Sequence, residues 1–138
     1  MSDFLILIAG LLSWSLLEYG MHNWNGHLMK GKSRFSKEHL RHHVDPSYEQ
    51  TTQKKIVQAL PIAGLIFAVS VLIFGWRYAG CFIAGLTLAY VCYEYAHWSA
   101  HALAPKTRFG RWRRRHHFYH HFTDARYNHG FTSPIWDL

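Results

Sequence analysis

The sequence predicts an all-α integral membrane protein: a helical bundle of about three transmembrane helices with a histidine-rich helical cap on the cytoplasmic side. Long uncharged apolar segments recur along the 138 residues, and basic residues gather between and after them. Histidine, 12 of the 138, falls into short regular spacings. A chain of this length is expected to form one domain, residues 1–138. Hydrophobic residues at 49% and aromatics at 17% exclude a disordered chain. The net charge of +7, with histidine neutral, asks for an anionic partner such as a lipid surface. Cys81 and Cys92 lie in apolar surroundings and pack as small apolar residues rather than building a disulfide framework.

The elements follow in order. Phe4 to Leu17 carries no charge and continues through Glu18 to Trp24, enough for one span of about 20 residues. No basic start precedes it and no small-x-small cleavage site follows, so it is expected to stay in the mature protein. Ile56 to Trp76 is a second span of 21 residues, with Pro61 in its second turn, where a kink is tolerated. After a short break at Arg77, the third runs from Tyr78 to about Ala104 and stops at Pro105. Seven basic residues lie between the first two spans (Lys30, Lys32, Arg34, Lys37, Arg41, Lys54, Lys55), and seven follow the third (Lys106, Arg108, Arg111, Arg113, Arg114, Arg115, Arg126). Only Arg77 lies on the other side, so the positive-inside rule makes the basic side cytoplasmic and puts the N-terminus outside. Trp24, Trp76 and Trp98 sit near span ends, as an aromatic belt would place them.

A short repeat accompanies this order. Glu18-Tyr19 precedes His22 and the HLRHH of His39 to His43, and Glu94-Tyr95 precedes His97 and the HFYHH of His117 to His121. Ten histidines form four groups at the cytoplasmic span ends: His22 and His27; His39, His42 and His43; His97 and His101; His117, His120 and His121. On a helix, positions i, i+3 and i+4 share a face, so each H-x-x-H-H group is expected to present its three imidazoles to a common centre. His22 and His27 lie roughly 140° apart on a continuous helix, so a break is expected within Asn23 to Gly26. Neutral imidazole is a metal ligand, and ten of them exceed the shell of one first-row ion and suit two. Two iron ions are expected, because iron with nitrogen ligands and an open position activates dioxygen; zinc can take its place on purification. His116 reads as a flanking surface residue, and His129 as either a further ligand or a residue supporting one.

Glu18 and Glu94 lie one turn before His22 and His97, where a carboxylate can accept the distal N–H of a ligand imidazole. Asp124 and Asn128 are candidates for the same supporting role. Tyr19, Tyr95 and Trp98 lie close enough to the histidines to line a substrate groove. The run Arg108 to Arg115 reads as a juxtamembrane cluster facing an anionic leaflet, so no nucleic acid partner is expected.

In this order, H-x-x-x-x-H, H-x-x-H-H, H-x-x-x-H, H-x-x-H-H and the closing NHGFTSPIWD, the chain resembles the fatty acid hydroxylase and sterol desaturase superfamily of membrane di-iron enzymes from Glu18 onward. Members commonly have four spans in two hairpins, against three expected here. The resemblance implies that the ten histidines hold two irons, which use O2 and two external electrons to hydroxylate or desaturate a membrane lipid, whether fatty acyl, sterol or isoprenoid. The electron donor would be an external cytochrome or ferredoxin, since the chain has neither a dinucleotide fingerprint nor a haem-attachment motif. Self-association into a homo-oligomer is compatible with this reading. The competing functions are a metal transporter or store, which would place ligands near the bilayer midplane, and a non-catalytic relative that binds metal for stability.

Overall fold

The structure is a computed structural model that describes residues 2–137. Among those residues all regular structure is helical. Helix α1 (Asp3–Gly20) passes without a break into a π-helical segment, Met21–Leu28. Then follow α2 (Arg34–Val44), α3 (Thr52–Phe74), α4 (Trp76–Ala102), α5 (Arg108–Phe122) and a single 3-10 turn, Pro134–Trp136. Ser33, Thr51 and Thr107 cap α2, α3 and α5, each side chain accepting the main-chain N–H three residues on. Three helical stretches, Asp3–Leu28, Thr52–Phe74 and Trp76–Ala102, are long and apolar enough to cross a membrane. The turn between the second and third is Gly75, at φ 78°, rather than Arg77. Arg77 is already helical and pairs with Asp3 at 2.8 Å.

Packing divides the chain into two compact units, residues 1–14 with 50–91 and residues 15–49 with 92–138. In the first, α1 and α4 touch backbone to backbone. A Cβ at Gly10 would lie 2.1 Å from the Phe82 carbonyl oxygen, and one at Gly85 would lie 2.1 Å from that of Leu7. Small residues let helices approach this closely where the surroundings offer no hydrophobic drive to associate. Trp14 packs on Tyr90 at 5.3 Å between ring centroids, and Ile6, Ala79 and Leu86 are buried. Most large apolar side chains of this unit point outward, among them Leu65, Leu72 and Ile73 on α3. Cys92 at the start of the second unit is likewise exposed instead of packed, whereas Cys81 is half-buried.

The second unit inverts the usual pattern, since its buried side chains are chiefly polar: Glu18, His22, Ser36, His42, His117, His120 and His129. Hydrogen bonds fix the corner between the π-helical segment and α2. The Ser36 hydroxyl donates to the Gly26 carbonyl at 2.7 Å and accepts from Gly31 N–H at 2.8 Å, while Ser33 donates to Asn25. Lys30 and Gly31, both at positive φ, make the turn.

Candidate metal centre

The ten histidines of the four sequence groups converge, and they do so as two sets of five. His22, His27, His39, His43 and His120 bring one ring nitrogen each within 4.8 Å of one another, as do His42, His97, His101, His117 and His121. The H-x-x-H-H groups therefore do not serve one centre each. On α2, His39 and His43 join the first set and His42 the second; on α5, His117 and His121 join the second and His120 the first. The cause is angular: on a helix the i and i+4 side chains are about 40° apart, whereas i+3 lies about 60° to the other side of i. The two sets meet where His43 and His121 stack, centroids 4.1 Å apart and planes 5° from parallel.

The segment Met21–Leu28 stays helical, in place of the expected break. Its i to i+5 hydrogen bonding puts residues five apart on one face, and the His22 and His27 rings lie 5.3 Å apart. Main-chain carbonyls then aim individual rings. His22 Nδ1 faces the His129 carbonyl at 2.6 Å, His120 Nδ1 faces that of Tyr127 at 2.6 Å, and His42 Nδ1 faces that of Tyr48 at 3.1 Å. A carbonyl only accepts, so each of these Nδ1 atoms carries the proton and each Nε2 is a bare lone pair.

That tautomer makes the next distances informative. His22 Nε2 and His120 Nε2 are 2.9 Å apart, with His27 Nε2 3.0 Å and His43 Nε2 3.1 Å from His120 Nε2. Between His22 and His120 two lone pairs therefore face each other, repel, and cannot share a hydrogen bond. In the second set His101 Nε2 stands 2.8 Å from His117 Nε2 and 3.2 Å from His42 Nε2. Nitrogens at right angles on a metal shell with bonds of about 2.05 Å would be about 2.9 Å apart, so the spacing fits a cation. Neither ring nitrogen of His121, nor Nδ1 of His117, has a hydrogen-bond partner among the described residues. Burial, reinforced by neighbouring imidazoles, holds His39 and His117 neutral and lowers His43 and His120 to about 3 from their usual 6.5. Neutral, convergent imidazoles, four of them buried and six half-buried, are what a divalent transition metal requires.

Other polar side chains lie around the two sets. Glu18, 3% exposed, accepts main-chain N–H groups: Phe131 at 2.5 Å and Thr132 at 3.0 Å. Glu94 is half-buried on α4. The Asp124 carboxylate is bound to the Arg126 guanidinium at 2.7 Å, which holds its pKa down to about 2. Asn128, at φ 61°, donates its side-chain amide to the His116 carbonyl. The His129 ring is in neither set; its contribution to His22 is the main-chain carbonyl. His116 is not a surface residue: its side chain is 12% exposed, stacks on Trp112 and sits 3.5 Å from Asp137. Tyr19 packs edge-on against His129, whereas Tyr95 and Trp98 face outward. Asp137, the residue that sequence reasoning passed over, accepts the His129 and Gly130 amides at 2.7 and 3.0 Å. Its only signal was its place in the closing motif.

The fatty acid hydroxylase family model matches residues 7–138. The chain is 30% identical over 96% of its length to the ceramide very long chain fatty acid hydroxylase SCS7 of Saccharomyces cerevisiae, covering 36% of that protein. It is 27% identical to the dihydroceramide fatty acyl 2-hydroxylase FAH2 of Arabidopsis thaliana and 26% identical to the human fatty acid 2-hydroxylase. It covers 96% of itself in both cases, with 58% and 37% of those proteins. The chain thus spans between about a third and three fifths of these relatives. Among solved structures, that of full-length Scs7p, with only the hydroxylase domain visible, superposes with a TM-score of 0.82 at 24% identity, over 98% of this chain and 53% of that one.

Proposed function

Because this chain belongs to the fatty acid hydroxylase family, we propose that it is a membrane oxidoreductase that hydroxylates a C–H bond of a fatty acyl chain held in a bilayer lipid. The observation that carries the proposal is the pair of five-imidazole sets, with bare Nε2 lone pairs 2.9 Å apart at His22 and His120. The first set, His22, His27, His39, His43 and His120, would hold one iron, and His42, His97, His101, His117 and His121 the second. Iron bound by these residues would supply O2 activation, in which one oxygen atom would enter the C–H bond and the other leave as water, with two electrons and two protons from outside balancing the reaction.

The chain's own residues do the rest. Main-chain carbonyls fix three rings as Nδ1–H tautomers, so that Nε2 is the nitrogen that would ligate. The stacked pair His43 and His121 keeps the two sets adjacent. Apolar side chains on the spans face outward, where an acyl chain lies. On α5 a cleft of about 840 Å³ is lined by Arg108, Arg111, Arg114 and Arg115 with no acidic residue, which favours the basic side as the one facing an anionic cytoplasmic leaflet. An external cytochrome or ferredoxin would deliver the electrons there. Curated relatives named for acyl and ceramide hydroxylation support the substrate class.

The test is lipid mass spectrometry on a host expressing the chain against one expressing His120→Ala. A lipid gaining one oxygen atom only with the wild-type chain is the expected result. An unchanged lipid profile, with both irons bound and an electron donor supplied, would overturn the proposal.

A further inference from the structure

We infer that Glu18 and Asp137 are positioning residues that set the geometry of the first five-histidine set through the main chain of residues 127–132, an inference resting on the two-ion reading above. Four consecutive amide N–H groups along this segment end on two buried carboxylates. His129 and Gly130 donate to Asp137 Oδ1 and Oδ2 at 2.7 and 3.0 Å, and Phe131 and Thr132 donate to Glu18 at 2.5 and 3.0 Å. Both carboxylates are out of water, Glu18 at 3% and the Asp137 side chain at 7% exposure. Charge-assisted bonds of this kind are stronger than neutral ones, and a buried carboxylate left without donors is costly, so the segment is held firmly.

What the segment presents in return are two carbonyls. That of His129 receives the Nδ1 proton of His22, and that of Tyr127 receives the Nδ1 proton of His120. The two nitrogens 2.9 Å apart are thus aimed by one stretch of main chain, which is itself aimed by Glu18 and Asp137. Local sequence permits the shape. Asn128 takes φ 61° and anchors to the His116 carbonyl, and Gly130 has no Cβ, which would otherwise lie 2.1 Å from the Ser133 carbonyl oxygen. The second set meets this segment through the Phe131 ring, 5.0 Å from His117, a contact that fixes no tautomer.

The experiment titrates ferrous iron, without oxygen, into the detergent-purified full chain and counts bound metal for wild type, Glu18→Ala, Glu18→Gln, Asp137→Ala and Asp137→Asn. Hydrogen exchange at residues 129–132 is read in the same samples. Wild type is expected to bind two irons. Each alanine variant should bind one iron as wild type does and the other about 10- to 100-fold more weakly, the scale on which outer partners of metal ligands act. Gln and Asn, which keep one acceptor oxygen, should lose less, and exchange should speed up at 129–132 in step with the loss. Two irons bound at wild-type affinity in the alanine variants, or equal weakening of both, would overturn the clamp alone. A wild-type chain binding fewer than two would remove the two-ion reading and the clamp with it.

Discussion

At the scale of the residue, His43 and His120 show what the site costs the protein without metal. Each is packed among other imidazoles, His120 buried and His43 half-buried, and stays neutral down to about 3, against 6.5 for an exposed histidine. The unfolded chain therefore takes up protons as pH falls from about 6.5 to about 3 while the folded chain does not, and stability drops through that window. Thermal unfolding of the metal-free protein should show a midpoint that is flat above pH 6.5 and declines below it; a midpoint indifferent to pH over that range would contradict the buried neutral rings. Sequence identified the ten ligand candidates, because histidine spacing at span ends is a local signal. It missed Asp137 and misjudged His116, because the contact between them depends on how the segment after α5 folds back.

At the scale of the element, the spans were legible to within a few residues of their ends, since apolar length is written directly in composition. The π-helical segment was not. A five-residue spacing between His22 and His27 suggests an interruption when only α-helix and loop are considered, and the wider turn solves the problem with no interruption. Helix pairing was equally hidden, because Gly10 and Gly85 are unremarkable in a membrane span until their partner is known. Each meets a carbonyl oxygen of the other helix, so a larger side chain must force α1 and α4 apart. Overpacking typically costs about 1–3 kcal/mol, and contact with rigid backbone places Gly85→Leu at the upper end or above. Unfolding of the detergent-solubilised variant should report that loss, and a wild-type midpoint would argue against close approach.

At the scale of the whole molecule, the outward-facing apolar surface and the placement of arginine make one arrangement in the membrane testable. With Arg77 the lone basic residue at the end of the hairpin that Gly75 turns, a cysteine at Gly75 should react with an impermeant thiol reagent from outside the cell, and one at Arg108 only after the membrane is opened. The opposite pattern would invert the orientation. Sequence supplies this expectation because charge bias is a sum over many residues. The way the two sets of five share their histidines required coordinates.

The sharing follows the repeat. The first set takes four rings from before residue 50 and His120 from after residue 92, and the second takes His42 from the early part and four rings from the late one. In each H-x-x-H-H the traded residue is the middle histidine, His42 in one copy and His120 in the other. Neither stretch of chain can complete a five-nitrogen nest by itself. Two fragments expressed separately would each be a four-fingered grip, and a cation seated in either nest would also fasten one half of the polypeptide to the other.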